Sequence, residues 1–210
     1  MLEVKNIYKT FNVGTANEKH ALNGVELTME DGDFITVIGG NGAGKSTLMN
    51  AIAGAWPVDE GSIIIDGVDV TKLSEHKRAA FIGRVFQDPM MGTAATMGIE
   101  ENLALLMATL IRPKLLLLDE HTAALDPKTA AKVLQATDRI IERDHLTTLM
   151  ITHNIRDAIV HGNRLIMMHE GRVILDIRGE EKKRLTVEDL MHEFEKASGE
   201  IFASDKALLG

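Results

Sequence analysis

The chain has 210 residues, a mass of 23.0 kDa, 45% hydrophobic residues and 26% charged residues, which is the composition of an ordinary globular protein. Its formal net charge of −8 argues against a nucleic-acid partner, because a phosphate backbone selects clustered lysine and arginine. The lack of cysteine excludes disulfides and cysteine-bound zinc, and the apolar runs are shorter than the roughly 20 residues needed to cross a bilayer.

Short segments near the N terminus have the pattern of antiparallel strands. Residues 2–11 and 21–28 alternate apolar and polar side chains, and residues 62–65 form a β-branched run before an Asp-Gly turn. Such alternation is typical of a sheet with one buried and one solvated face. We therefore expect an antiparallel β-subdomain over residues 1–32 and 60–72.

Further along the chain, apolar runs alternate with helical stretches. Nearly continuous apolar runs, typical of strands covered on both faces, occupy residues 34–38, 82–86, 115–118, 147–151 and 165–168. Helical patterns lie between them at residues 45–54, at 126–143 with Pro127 in the first turn, and at 154–160 after an asparagine cap. This alternation predicts an α/β core, a mostly parallel sheet flanked by helices, over residues 33–59 and 73–178.

The C-terminal part, residues 185–210, is predicted to form a docked helical tail of the same single domain. Its first turns are amphipathic, since one stripe carries Val187, Leu190, Met191 and Phe194. The basic run at residues 182–184 stands beside two glutamates, which indicates a solvated face.

A glycine-rich loop follows the apolar run at residues 34–38 and precedes a helix. Its pattern G-x-x-x-x-G-K-S lets successive backbone N–H groups surround a polyphosphate, at the positive end of the following helix. We expect Lys45 to reach the β- and γ-phosphates and the Ser46 hydroxyl to contact Mg2+. The predicted phosphate-binding residues are Gly39, Gly40, Asn41, Gly42, Ala43, Gly44, Lys45, Ser46 and Thr47.

Polar side chains follow three of the apolar runs, where open α/β sheets bind ligands. Asp119 and Glu120 end one run, where Asp119 fits a Mg2+ partner and Glu120 fits a general base that activates water. An acidic turn after a core strand would have the same sequence pattern. Gln87 follows another apolar run, which makes its amide a candidate to face the metal and the attacking water. His153 could hydrogen-bond the γ-phosphate, although a lone histidine at a strand end is usually structural.

The order of these pieces resembles the ATP-binding cassette (ABC) family, the nucleotide-hydrolysing subunits of ABC transporters, over most of the chain. The resemblance implies an ABC ATPase-like P-loop NTPase core. It makes Gly39 to Thr47 the Walker A loop, Leu115 to Asp119 the Walker B strand, Glu120 the catalytic glutamate, Gln87 the Q-loop, His153 the switch histidine and residues 124–126 the D-loop. Phe11 stands where the family stacks an aromatic ring on adenine. Tyr8 is a weaker candidate, and Phe11 could instead be a core residue.

The chain departs from the family between Gln87 and Asp119. Family members insert a helical subdomain there that ends in a signature near Leu-Ser-Gly-Gly-Gln, and residues 88–118 contain no such motif. Residues 99–104 resemble the start of that subdomain, and residues 105–110 resemble the helix after the signature. A chain without this segment is expected to bind ATP and to lack half of each composite catalytic site. His121 also replaces a proline that many relatives carry.

The leading hypothesis is an ATP-binding and ATP-hydrolysing subunit that couples ATP and Mg2+ to solute transport. The resemblance implies a second copy as dimer partner, transmembrane permease subunits, and a place in the cytoplasm on the inner face of the membrane. The alternative is a nucleotide-binding regulatory or assembly module with little turnover. A soluble ABC ATPase of repair or translation and a small-molecule kinase fit less well.

Overall fold

The computed structural model describes residues 1–85, 113–123 and 125–198. They form two sheets with helices around them. Among these residues, no helix has both the length and the apolar character that crossing a membrane requires.

The first sheet is antiparallel and has the strand order β2-β1-β4-β5. Its strands are β1 (Leu2–Phe11), β2 (Lys19–Met29), β4 (Glu60–Ile65) and β5 (Val68–Asp69). The alternation seen in the sequence buries Leu2 and Val4 of β1, and Ile7 joins the same core after an irregularity in the pairing with β2 between Val4 and Ile7. The Asp-Gly turn joins β4 to β5, and Asp66 and Gly67 adopt φ values of 50° and 78° there.

The second sheet has the order β10-β9-β3-β8-β7-β6. All neighbouring pairs are parallel except the hairpin of β9 and β10. Its strands are β3 (Phe34–Ile38), β6 (Ile82–Val85), β7 (Leu115–Asp119), β8 (Thr148–Ile151), β9 (Arg164–His169) and β10 (Arg172–Arg178). The parallel strands agree with the predicted runs to within one residue at each end, except that Phe86 lies outside the described residues.

The helices of the described residues are α1 (Lys45–Ala53), α2 (Glu75–Arg78), α3 (Pro127–Asp144), α4 (Ile155–Val160), α5 (Gly179–Arg184) and α6 (Val187–Ser198). Four of them, α1, α3, α4 and α6, begin within two residues of the predicted positions, and the short helices α2 and α5 were not predicted. The Asp126 carboxylate caps α3 by accepting hydrogen bonds from the N–H groups of Lys128 and Thr129 at 3.1 and 3.2 Å. Asn154 caps α4 in the same way.

Apolar cores cover both faces of the parallel sheet. On one face, Leu115 and Leu117 of β7 join a cluster shared with α1 and the antiparallel sheet. On the other face, Leu116 and Leu118 pack with α3. In a third cluster, α6 packs against β9 and α4 and buries Leu190 and Phe194. The α/β fold class is thereby confirmed, and within the described part of the tail α6 docks through Leu190 and Phe194.

Lys182 corrects the expectation of a solvated face at residues 182–184. The side chain is 2% exposed, and its ammonium donates hydrogen bonds to the carbonyl oxygens of Ile159, His161 and Gly162. These carbonyls end α4 and have no helical partner, so a cation satisfies them well. Lys183 and Arg184 remain exposed, as expected.

Candidate functional site

The glycine-rich loop connects the buried end of β3 to the start of α1. Gly39 has a φ of 147°, and a Cβ there would lie 2.2 Å from the carbonyl oxygen of Met168. Gly44 has a φ of 103°, and its Cβ would lie 2.5 Å from the carbonyl oxygen of Ala21. Both positions therefore exclude side chains, through backbone conformation and through close approach of another strand.

The N terminus of α1 opens onto this loop. Gly44 is the capping residue, and no side chain of the described residues caps this end. The first N–H groups of α1 are thus available to an external acceptor, and the helix dipole favours an anion there. The loop has the features of a phosphate site.

Lys45 points its ammonium back into the loop. It is 6% exposed and donates hydrogen bonds to the carbonyl oxygens of Gly39 and Gly40 at 2.7 and 3.2 Å. Burial lowers the pKa of Lys45, while the nearby carboxylates of Glu120 and Asp119 act in the opposite direction. The carboxylates and the loop lysine therefore share one electrostatic environment.

An open cavity of about 370 Å3 joins the loop to two strand-end residues. Glu120 and His153, which were predicted from the sequence to act there, both line it. Lys19 and Ala21 at the start of β2 also line it and were not predicted. The loop residues that line the cavity are Asn41, Gly42, Ala43, Gly44, Lys45, Ser46 and Thr47.

Glu120 and His153 contact each other. Glu120 Oε1 lies 2.5 Å from His153 Nε2, and the carboxylate is 8% exposed against 41% for the imidazole. Glu120 also has a φ of 49°, a left-handed conformation that is rare for residues other than glycine. Its N–H donates to the carbonyl oxygen of Ile151 at 3.1 Å, which ties the turn after β7 to β8.

Asp119 is the last residue of β7 and is half-buried. Its Oδ2 accepts a hydrogen bond from Arg84 of the neighbouring strand β6 at 3.2 Å. Asp119 is not among the residues that line the cavity, unlike Ser46. In the described part of the chain, no three His, Cys, Asp or Glu side chains group so as to hold a metal ion. The Ser46 hydroxyl and the Asp119 carboxylate are oxygen donors of the kind that Mg2+ prefers, and Mg2+ completes its coordination with waters and phosphate oxygens.

Phe11 lies at the end of β1 and is not among the residues that line the cavity, although its cross-strand partner Lys19 is. Its ring makes an edge contact with Trp56 at a centroid distance of 5.1 Å, and the Lys9 ammonium lies 5.6 Å from its centroid. The ring is half-buried, so part of it remains accessible. The Tyr8 hydroxyl instead lies 2.9 Å from the position that a Cβ of Gly24 would take.

Three predicted elements fall partly or wholly outside the described residues. These are Gln87, residues 88–112 of the segment that lacks the signature, and Ala124 of the predicted D-loop. His121, on the other side of Glu120, is 7% exposed, and its Nε2 lies 3.5 Å from the Thr137 hydroxyl. Burial lowers the pKa of His121 to about 4, with a smaller contribution from His161. The ring is therefore neutral at pH 7.

Comparisons with known proteins agree with this geometry. A family model described as ABC transporter matches residues 22–102. The tyrosine transport ATP-binding protein of Clostridioides difficile (strain R20291) is 37% identical over 250 residues, covering 94% of this chain and 100% of that protein. The aliphatic sulfonates import ATP-binding protein SsuB 2 of Agrobacterium fabrum (strain C58 / ATCC 33970) is 31% identical, covering 84% of this chain and 79% of that protein.

A solved structure has the same fold. It is the dimeric post-hydrolysis state of the ATP-binding cassette MJ0796 bound to ADP and Pi, with a TM-score of 0.71 and 26% identity over 85% of this chain and 98% of that chain. Fold, loop geometry and sequence relatives agree, and the chain therefore belongs to the ABC transporter family as an ATP-binding subunit.

Proposed function

We propose that this chain binds and hydrolyses ATP to drive solute import through a partner permease. The observation that carries the proposal is the single cavity shared by the glycine-rich loop, Glu120 and His153. The import direction is supported by the aliphatic sulfonates import relative, which is 31% identical. We assign the selection of the transported solute to the partner proteins.

Nucleotide binding would begin with the phosphates at the loop, residues 39–47. The N–H groups at the start of α1 donate to the phosphate oxygens, and the Lys45 ammonium exchanges its bonds to the carbonyls of Gly39 and Gly40 for phosphate oxygens. Phe11 offers a ring face to adenine. The half-buried position of that ring, at the end of β1, supports this role.

Mg2+ would be held by the Ser46 hydroxyl and the Asp119 carboxylate, with Gln87 as a further ligand. When bound, it neutralises phosphate charge. Arg84 now occupies one oxygen of Asp119, so the arginine has to release or share that carboxylate. Oxygen donors of this kind suit Mg2+ better than a site rich in histidine would.

Hydrolysis would use Glu120 to orient a water molecule and to accept its proton. The proton would pass from the water molecule to the Glu120 carboxylate, whose Oε1 lies 2.5 Å from His153 Nε2. We assign His153 to contact the γ-phosphate. Gln87 would orient the same water.

Coupling to transport would need a second copy of the chain and a permease. In a two-fold dimer each loop faces the partner copy, and ATP stabilises the closed pair if it binds that state more tightly. The dimer of MJ0796 supports this arrangement. We place the chain as one domain, residues 1–210, in the cytoplasm at the inner face of the membrane.

The alternative is a nucleotide-binding regulatory module with little turnover. It is favoured by the short segment at residues 88–118, which lacks a signature motif. The alignment with the Clostridioides difficile protein runs over 250 residues, more than the 210 of this chain, which supports the interpretation that the relative carries residues missing here.

Glu120→Gln distinguishes the two functions. If the chain turns over ATP, this variant keeps its ATP affinity and loses at least about 100-fold in hydrolysis rate, since general bases typically contribute that much or more. Glu142→Gln, an exposed carboxylate on α3, serves as the control. ATP binding without phosphate release by the parental chain would favour the regulatory module, and hydrolysis by Glu120→Gln at the parental rate would remove Glu120 from the mechanism.

A further inference from the structure

Lys19 is the first residue of β2 and lies directly opposite Phe11 in the pairing of β1 with β2. Cross-strand partners in an antiparallel pair project to the same face of the sheet, with Cβ atoms about 5 Å apart. The lysine stem therefore starts beside the ring that would bind adenine.

The Lys19 ammonium ends at the phosphate loop. A Cβ on Gly42 would lie 3.0 Å from Lys19 Nζ, and both residues line the cavity of about 370 Å3. Gly42 has a φ of 80°, so its position also requires glycine on backbone grounds. The side chain of Lys19 thus bridges the predicted base site and the phosphate loop.

No carboxylate neutralises this ammonium within residues 1–85, 113–123 and 125–198. The adjacent Glu18 carboxylate instead accepts from the N–H of Gly14 at 2.7 Å and lies 3.5 Å from His20 Nε2. An unpaired cation at the rim of an anion-binding loop, in a chain with a net charge of −8, raises the local potential where phosphates enter.

We propose that Lys19 is a second phosphate-binding cation of this site and contacts the phosphate nearest the nucleoside. Its location between Phe11 and Gly42 assigns it to that end, while Lys45 acts at the far end from inside the loop. Lys19 therefore contributes to the affinity for ADP and ATP alike and contributes nothing to the affinity for adenosine. The proposal rests on nucleotide binding in the proposed function.

The test compares Lys19→Met with the parental chain and with Lys5→Met, an exposed lysine of β1 that pairs with Glu3. Dissociation constants for ADP, ATP and adenosine are measured by calorimetry, each without Mg2+. Lys19→Met is expected to weaken the affinities for ADP and ATP by about fivefold each. This is a typical effect of losing one partly exposed hydrogen bond to a charged group. The affinity for adenosine is expected to stay unchanged, and Lys19→Arg is expected to have the parental affinities for ADP and ATP. Added salt should reduce the difference in ADP and ATP affinity between Lys19→Met and the parental chain.

Equal ADP affinity of Lys19→Met and the parental chain overturns the role of Lys19 and leaves the proposed function intact. An equal loss for adenosine also overturns it, because the effect would then come from a disturbed hairpin rather than from phosphate. A parental chain that binds neither ADP nor ATP overturns the proposed function itself. Thermal unfolding of each variant without ligand verifies that the fold is retained.

Discussion

Removal of the Lys45 charge should abolish most of the nucleotide affinity while leaving the fold in place. Lys45→Met keeps an apolar stem of similar length, so the buried space at the start of α1 stays filled. The ammonium is 6% exposed and makes two hydrogen bonds to loop carbonyls, at 2.7 and 3.2 Å. In the proposed nucleotide complex these two bonds would be replaced by bonds to phosphate oxygens, which are stronger because both partners are charged.

The size of the effect follows from those two bonds. A hydrogen bond to a charged group is worth about 1.5 to 3 kcal/mol, and the carbonyls that Lys45 leaves regain part of their solvation. We therefore expect a net loss of about 3 kcal/mol in binding free energy, which is roughly a hundredfold weaker affinity for ADP and ATP. Lys5→Met, which removes an exposed lysine, should leave both affinities unchanged.

The chain contains a natural fluorescence probe for measuring the affinities of these variants for nucleotide. It has a single tryptophan, Trp56, whose ring lies 5.1 Å from Phe11, so base binding at Phe11 should change its fluorescence. Calorimetry gives an independent dissociation constant, and thermal unfolding verifies that Lys45→Met is folded. Parental affinity in the folded variant would refute the assignment of residues 39–47 as the phosphate site.

Two stability predictions follow from buried cations outside the site. Lys182→Met should lower the free energy of unfolding by about 2 kcal/mol, because three carbonyls lose their donor, whereas exposed Lys183→Met should change it by less than about 0.5 kcal/mol in urea titrations. Arg164 is 5% exposed and bonds Asp176 through two nitrogens at 2.6 and 2.5 Å, which holds the pKa of that carboxyl below its usual 3.8. The contribution of this ion pair to the free energy of unfolding is fully present above pH 3.8 and is lost as the pH falls through the lowered pKa. Asp176→Asn should therefore lower the free energy of unfolding by about 2 kcal/mol at pH 7. It should also make the free energy of unfolding depend less on pH below pH 3.8. An unchanged acid profile in Asp176→Asn would contradict the role of this ion pair.

Periodicity in the sequence predicted eight of the ten described strands of the two sheets, because each signal is local, whereas β5 and β10 were not predicted. The alternation in residues 2–11 predicts a strand with one buried face, and the uninterrupted leucines at 115–118 predict a strand buried on both faces. Most glycines of the loop likewise mark positions where the backbone adopts conformations that other residues rarely adopt. Gly39 and Gly44 sit where a Cβ would strike another strand.

Long-range partners could not be predicted in the same way. Lys182 carries the local signature of a solvated charge run, and its acceptors lie about 20 residues away at the end of α4. Arg84 reaches Asp119 only because β6 and β7 are neighbours in the sheet. Lys19 stands in a polar hairpin, and its relation to Gly42 needs the packing of that hairpin against the loop. In each case tertiary placement, not local pattern, decides the partner.

The site itself could be anticipated because parallel pairing brings sequence-distant strand ends to one edge. Ile151 of β8 pairs with Val37 of β3 on one side and with Asp119 of β7 on the other. Gly39, His153 and Glu120 follow these three paired positions by two, two and one residues, so all three must emerge together wherever this register holds. The contact of 2.5 Å between Glu120 and His153 is one result of that register, and the cavity they share with the phosphate loop is the other. A strand that slipped by one residue would turn these side chains to the opposite face and bury polar groups in the leucine core, so the same apolar pattern that stabilises the sheet also aligns its functional edge.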